Sequence, residues 1–215
     1  MKKLILLALV ATAQADDVAL LELRFADKTT RTVAIEFYEN DAPAHVANFK
    51  KLANDGFYKG CAFHRAVPNG IVQTGDPLSK GSSRDKVGTG GPGYTLPAEI
   101  SRKHMKGAVA AARLGDKVNP QHRSNGSQFY IAITAQPQLN GHYTVFGNVI
   151  QGLDVLDHIS NKPTDSNDYP SERIEVRKVR IISREQLPSP TPATRPGAVK
   201  PGEGTPSFWR RLWPW

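Results

Sequence analysis

Short apolar runs separated by glycine and proline dominate this chain and limit what it can fold into. Residues 18–25 and 30–37 alternate apolar with polar side chains around a turn at Asp27-Lys28, which predicts a β-hairpin. A helix is predicted to open at Asp41-Ala42-Pro43, where proline suits the first turn, and a second short helix near residues 152–160. The later apolar runs have the length of strands; they cover residues 107–112, 129–134, 145–150 and 174–183. Many short strands with two helices favour a mainly β fold, a closed antiparallel barrel, over alternating strands and helices.

The N-terminus has the three parts of a secretory signal peptide. Met1-Lys2-Lys3 is followed by an apolar run to residue 13 and by the small-residue site Ala13-Gln14-Ala15. A membrane anchor is the alternative, but ten apolar residues are about half of the ~20 that span a bilayer. We therefore predict that residues 1–15 are a signal peptide cleaved after Ala15, and that the protein is exported to the periplasm or cell envelope.

Charge and cysteine content narrow the range of partners. Loss of residues 1–15, which carry two lysines, lowers the formal net charge from +8 to +6, and the positive residues are scattered. Nucleic acid is therefore not expected as a partner. A weak attraction to anionic lipid or cell-wall polymer is expected instead. The single cysteine, Cys61, cannot form an internal disulfide and is predicted to be a small buried apolar residue; a reactive thiol is the alternative.

The composition changes after residue 184. The last 32 residues contain seven prolines and little that could form a core, so residues 185–207 are predicted to be an extended linker. The end of the chain, residues 208–215, holds all three tryptophans beside Arg210-Arg211. Aromatic residues mixed with arginine favour contact with a membrane surface or a protein groove, and a solvent-exposed end is the alternative.

One arginine lies inside an apolar stretch. Arg65 belongs to the segment Phe63-His64-Arg65-Ala66-Val67-Pro68, and Gln73-Thr74-Gly75-Asp76 follows shortly after. An arginine in such surroundings must pair with a buried partner or face a ligand. Two further blocks follow in the chain, Asn-Gly-Ser-Gln-Phe-Tyr-Ile at residues 125–131 and Leu-Asn-Gly-His-Tyr-Thr-Val-Phe-Gly at residues 139–147.

The three blocks, in this order, resemble those of the cyclophilin family of peptidyl-prolyl cis/trans isomerases, and the resemblance spans residues 18–184. It implies an isomerase domain over residues 16–184, a closed eight-stranded antiparallel β-barrel capped by two α-helices. It also implies a monomer that acts on X-Pro bonds of polypeptide substrates without a metal or another cofactor.

The resemblance assigns roles to individual residues. Arg65 matches the catalytic arginine, and Gln73 matches the glutamine that positions it and the substrate. Tyr143 occupies a position often held by histidine. The other residues expected to contact substrate are Phe63, Ile71, Ala112, Gln128, Tyr130 and Leu139.

The chain departs from the family pattern in three places. Gly70 stands where a phenylalanine is usual, so one aromatic wall of the pocket is missing. Gln138 stands where cyclosporin-sensitive members carry tryptophan. An insertion at residues 114–122 lengthens the loop before the second block.

Isomerisation makes modest chemical demands. Rotation about an X-Pro bond faces a barrier of ~18–20 kcal/mol, and no nucleophile is needed to lower it. An apolar pocket for the prolyl ring and a charged donor for the twisted amide suffice, and guanidinium is suited to the second task.

Other interpretations stay open. Arg65 could serve only in a buried ion pair, and the domain could be a proline-peptide binding module or holdase with weak catalysis. A hydrolase using Ser127 lacks the G-x-S-x-G elbow. The segment 88–93 matches G-x-G-x-x-G, but no helix is predicted after it, so a dinucleotide site is not expected. The six histidines show no metal-ligand spacing.

Overall fold

The computed structural model describes residues 16–81 and 83–189. Eight strands, two α-helices and three 3₁₀ turns make up this part of the chain. In order they are β1 (Asp17–Arg24), β2 (Thr30–Phe37), α1 (Pro43–Asn54), β3 (Arg65–Ala66), β4 (Ile71–Thr74), a 3₁₀ turn (Pro77–Lys80), β5 (Ala108–Arg113), β6 (Ser124–Ala132), a 3₁₀ turn (Pro137–Leu139), β7 (Val145–Gln151), α2 (Leu153–Ser160), β8 (Glu175–Ser183) and a 3₁₀ turn (Arg184–Gln186). The predicted hairpin, the start of the first predicted helix and both ends of the second are confirmed within two residues.

The strands form one curled antiparallel sheet in the order β3-β4-β6-β5-β7-β2-β1-β8. The two edge strands are not paired by a ladder, so the sheet is an open half-barrel and the prediction of a closed barrel is wrong. The cause is the shortness of β3, which ends after two residues at Val67-Pro68. Proline lacks a backbone N–H, and Asn69, with φ of 55°, turns the chain back into β4. The segment before β3 meets the start of β8 at an isolated bridge between Ala62 and Glu175 and through backbone hydrogen bonds, among them Phe63 N–H to the Ile174 carbonyl at 2.9 Å.

The main core lies on the face of the sheet that α1 covers. Val46, Phe49 and Leu52 recur at helical spacing and are all buried. The ring of Phe49 lies 5.5 Å from that of Phe129 on β6 and 5.0 Å from that of Tyr58. Such aromatic contacts fix how the helix sits on the sheet.

The N-terminus of α1 is capped from a distant loop. Ala42 at the cap position offers no side-chain acceptor, and the N–H groups of Ala44 and His45 instead donate to the Glu99 carboxylate at 3.0 Å each. Burial lowers the pKa of His45, which is therefore neutral. Its Nδ1 donates to Glu99 at 2.6 Å, and Nε2 accepts from the Ser124 hydroxyl at 2.8 Å. Glu99 thus holds α1 against the loop before β5.

The burial of Cys61 is a further sequence prediction that the described residues test. Cys61 is buried, as predicted, and burial raises the pKa of its thiol to about 11. The predicted signal peptide and the tail at 208–215 lie outside the described residues, as does most of the predicted linker. Within residues 16–81 and 83–189, no helix is both long and apolar enough to cross a membrane.

Candidate active site

The two residues expected to carry catalysis face each other across the first hairpin of the site. Arg65 on β3 is the register partner of Gln73 on β4, and Gln73 is in turn the partner of Tyr130 on β6. Residues directly opposite in an antiparallel pair project to the same side of the sheet. Three strands therefore place a guanidinium, an amide and a phenol ring side by side.

A second apolar cluster adjoins these residues, and we call it the pocket cluster. It lies across the sheet from the main core because β6 alternates: Phe129 and Ile131 belong to the core, Tyr130 and Ala132 to the pocket cluster. It includes five of the predicted substrate-contacting residues. The complete set is Ile71, Ala108, Ala110, Ala112, Tyr130, Ala132, Leu139, Tyr143 and Val145.

Phe63 is the exception among the predicted substrate contacts. It is 1% exposed and packs in the main core, so the structure does not bring it to the pocket cluster. The backbone before β3 is not a regular strand, and both Phe63 and His64 are buried there. The alternation of a strand therefore cannot be extended from Arg65 back to Phe63. Neither ring nitrogen of His64 has a hydrogen-bond partner among the described residues, and burial lowers the pKa of His64.

A chain of amide hydrogen bonds connects Gln73 to the glycine-rich loop. Gln73 Nε2 donates to Gln128 Oε1 at 2.9 Å, and Gln128 Nε2 donates to the carbonyls of Gly88 and Gly90 at 2.9 and 2.8 Å. This orientation fixes both amides, and it leaves Gln73 Oε1 without a partner among the described residues. An acceptor atom is thus held in place beside Arg65.

Asp76 fixes the other side of that loop. It is fully buried and accepts hydrogen bonds from the backbone N–H groups of Leu78, Gly88 and Gly90. A Cβ on Gly90 would lie 2.1 Å from Asp76 Oδ1, so this position requires glycine. The loop is therefore a support for Gln128 and, through it, for Gln73.

Asp168 forms an ion pair with Arg65. Arg65 Nε lies 3.3 Å from Asp168 Oδ2, and the two side chains are only 14% and 17% exposed. The carbonyl of Asp168 also accepts from the N–H of Ala66 at 2.8 Å. Asp168 is 103 residues from Arg65, and nothing in the sequence spacing points to this contact.

His104 holds the Tyr130 hydroxyl. Burial lowers the pKa of His104, so its imidazole is neutral. Its ring Nδ1 and its backbone N–H both face Asn140 Oδ1, at 3.2 and 2.7 Å, which makes Nδ1 a donor. Nε2 is then an acceptor for the Tyr130 hydroxyl at 2.9 Å, and the two rings stack with centroids 5.9 Å apart. The ring of Tyr130 is thereby fixed within the pocket cluster.

Comparison with known proteins identifies the family. The sequence model described as "Cyclophilin type peptidyl-prolyl cis-trans isomerase/CLD" matches residues 23–181. The chain belongs to this family. Peptidyl-prolyl cis-trans isomerase B of Bacillus subtilis is 42% identical over 132 residues, covering 60% of this chain and 83% of the relative. A probable peptidyl-prolyl cis-trans isomerase of Brucella abortus is 42% identical over 155 residues, covering 69% and 74%.

Solved cyclophilin structures share the fold. A crystal structure of a cyclophilin type peptidyl-prolyl cis-trans isomerase from Cryptosporidium parvum has a TM-score of 0.67 at 29% identity, and covers 78% of this chain and 98% of that one. The same protein in the presence of the dipeptide Ala-Pro has a TM-score of 0.64. The activity of this cyclophilin is therefore peptidyl-prolyl cis-trans isomerisation.

The rim of the cyclophilin site contains a buried arginine that sequence reasoning missed. The guanidinium carbon of Arg113 lies 4.6 Å from the ring centroid of Tyr143, which meets the Tyr130 ring edge-on at 5.6 Å. Arg113 Nε donates to the His142 carbonyl at 2.7 Å. A cation in an alanine-rich strand, at the start of the insertion, is the one sequence signal that could have indicated it. Arg113 holds the loop that carries Tyr143 against the pocket cluster.

Two departures from the family pattern can be located in this cyclophilin. Gly70 is buried in the turn before β4, where its carbonyl accepts from the N–H of Ile133 at 2.8 Å. It contributes no side chain to the pocket cluster. Gln138 is exposed, and its Nε2 donates to Gln136 Oε1 at 2.6 Å.

Proposed function

We propose that this cyclophilin isomerises X-Pro bonds of exported polypeptides in the bacterial periplasm or cell envelope, with Arg65 as its catalytic residue. The observation that carries the assignment of Arg65 is its position opposite Gln73 at the edge of the pocket cluster. Ile71, Tyr130, Leu139 and Tyr143 provide an apolar surface that suits a prolyl ring. Gln128 and Ala112 lie beside it and suit contact with the substrate backbone.

Arg65 would act on the amide as it twists. Rotation removes the resonance of the peptide bond, and the proline nitrogen becomes a hydrogen-bond acceptor. A donor that engages this nitrogen stabilises the twisted form more than the planar one, which is the condition for catalysis. Guanidinium carries five N–H donors. Asp168 Oδ2 lies 3.3 Å from Nε, so this ion pair orients the guanidinium.

Gln73 would hold the substrate beside the guanidinium. Its Nε2 is engaged by Gln128, whereas its buried Oε1 has no partner among the described residues. Because Oε1 is enclosed, the Gln73 side chain would have to rotate before this oxygen accepted a hydrogen bond from a peptide N–H of the substrate. Gln73 is therefore proposed as the residue that positions the chain of the substrate while the prolyl bond rotates.

The test of the catalytic function is turnover of a short proline peptide by the full chain. Exchange between cis and trans forms, followed by NMR, should be accelerated in proportion to enzyme concentration. Gly70 replaces the phenylalanine that is usual at this position, and this makes a binding module with weak catalysis the second candidate. Binding of the peptide with negligible acceleration of exchange would favour that candidate and contradict ours.

Export is supported by the N-terminal sequence alone. Its test is fractionation of bacteria that express the full chain, with N-terminal sequencing of the product. The proposal expects protein in the periplasmic or envelope fraction that begins at Asp16. Retention in the cytoplasm with an intact Met1 would contradict it.

A further inference from the structure

The structure brings together two histidines and a carboxylate at the rim of the pocket cluster. Asp116 and His122 lie in the insertion between β5 and β6, and His142 immediately precedes Tyr143. One potential ligand atom from each lies within 4.8 Å of the others, and His122 Nε2 is 3.4 Å from Asp116 Oδ1. The sequence shows no metal-ligand spacing because the three residues come from two separate loops.

We propose that Asp116, His122 and His142 bind a divalent transition metal of the Zn²⁺ class. Two imidazole nitrogens and one carboxylate oxygen are the ligand set of many zinc sites with an open fourth position. Donor atoms bound at ~2.0–2.2 Å in tetrahedral geometry lie roughly 3.3 Å apart, so the histidine–aspartate separation already fits. The remaining separations, up to 4.8 Å, need to close by up to about 1.5 Å, within reach of side chains that are exposed or partly exposed. Imidazole ligands disfavour Ca²⁺ and Mg²⁺, which prefer oxygen.

The loop that carries two of the ligands is held in place by its own contacts. Asn119 donates through Nδ2 to the carbonyl of Arg123 at 2.9 Å and accepts from its N–H at 3.0 Å. Arg123 in turn donates to Thr95 through Nε at 2.7 Å. The backbone of His122 is left-handed, with φ of 53°, and its N–H donates to Asn119 at 3.0 Å. A loop fixed at its base presents its ligands at low entropic cost.

The positive charge of Arg113 lies beside the proposed metal site. Its Nη1 lies 2.7 Å from Asp116 Oδ1. The contact with Arg113 and the 3.4 Å separation from His122 both involve Oδ1. A rotation of the carboxylate would leave one oxygen on the guanidinium and turn the other to the metal. Arg113 also donates to the His142 carbonyl, so the same side chain holds both loops of the site. Metal binding would therefore couple the insertion to the loop that carries Tyr143.

The test is titration of tag-free full-length protein with Zn²⁺ alone, by calorimetry, and with Co²⁺ alone, by absorption spectroscopy. We expect one saturable site per chain and a Co²⁺ spectrum of low coordination number. His122→Asn is the first variant, because asparagine tolerates the left-handed backbone, and His142→Ala is the second. Each should lower the affinity for Zn²⁺ at least tenfold.

The matched control is His158→Ala, which removes a partly buried histidine on α2. It should bind Zn²⁺ as the unchanged protein does. Saturating Zn²⁺ should also raise the melting temperature of the unchanged protein but not that of His122→Asn, which gives a second readout. Absence of saturable binding, or equal affinity in His122→Asn and His158→Ala, would overturn the proposal.

Discussion

Replacement of Arg65 by alanine tests the central assignment. The change removes the guanidinium that faces Gln73 and ends the ion pair with Asp168. A hydrogen bond from a charged donor contributes about 1.5–3 kcal/mol. At about 1.4 kcal/mol per factor of ten, loss of one such bond to the twisted amide should lower kcat/KM about 10- to 150-fold. The planar amide gains less from the same donor, so most of the loss should fall on kcat.

The assay is cis–trans exchange of a proline peptide by NMR, with circular dichroism to show that each variant is folded. Arg177→Ala is the control, because Arg177 is exposed on β8, which pairs with β1 and lies at the opposite end of the strand order from β3. It should retain full activity. Unchanged kcat/KM in folded Arg65→Ala would refute the assignment of Arg65.

Asp168→Asn separates positioning from chemistry. Asparagine keeps the shape of the side chain but loses the charge that holds Arg65 Nε at 3.3 Å. We expect a smaller loss of activity than in Arg65→Ala. The double variant should be no less active than Arg65→Ala alone, because Asp168 acts through the arginine. Additive losses would show that Asp168 affects the site by another route.

Three further predictions concern stability, inhibition and the C-terminal tail. Burial lowers the pKa of His45, His64 and His104, so the unfolded chain takes up these protons at higher pH than the native one. The free energy of unfolding should therefore fall as the pH drops below about 6.5, by up to about 1.4 kcal/mol per pH unit for each histidine. Urea unfolding between pH 7.5 and 5 measures this, and an unfolding midpoint that does not change with pH would contradict it. Cyclosporin should inhibit poorly because Gln138 lacks an indole ring, and Gln138→Trp should improve inhibition; nanomolar inhibition of the unchanged protein would contradict this. Deletion of residues 185–215 should leave turnover of a short peptide nearly unchanged but weaken association with envelope membranes or a partner protein. Equal sedimentation and pull-down of both forms would show that the tail is only a solvent-exposed end.

The sequence predicts those features that depend on local pattern. The hairpin of β1 and β2 follows from two apolar runs on either side of the turn at Asp27-Lys28, and the start of α1 follows from Pro43. Motif resemblance places Arg65, Gln73 and Tyr130 in one site, and the strand register brings these three together.

Features that depend on contacts between distant segments were not predictable. Barrel closure fails because β3 is two residues long, which apolar runs alone do not reveal. Asp168 and His104 reach Arg65 and Tyr130 across 103 and 26 residues of chain, from loops whose paths no periodicity specifies. The family resemblance assigns Phe63 to the pocket, whereas the structure buries it in the main core, just before β3.

The alternation of β6 also restricts how this enzyme can change over evolution. Because one strand supplies Phe129 to the core and Tyr130 to the pocket cluster, deleting or inserting one residue within it would exchange the two sets. Such a change would therefore disrupt the core and the catalytic surface at the same time. We therefore expect insertions and deletions in the loops between strands. The insertion at residues 114–122 lies in such a loop, the one between β5 and β6. New properties of this enzyme are therefore expected to arise in its loops, while β6 keeps its register.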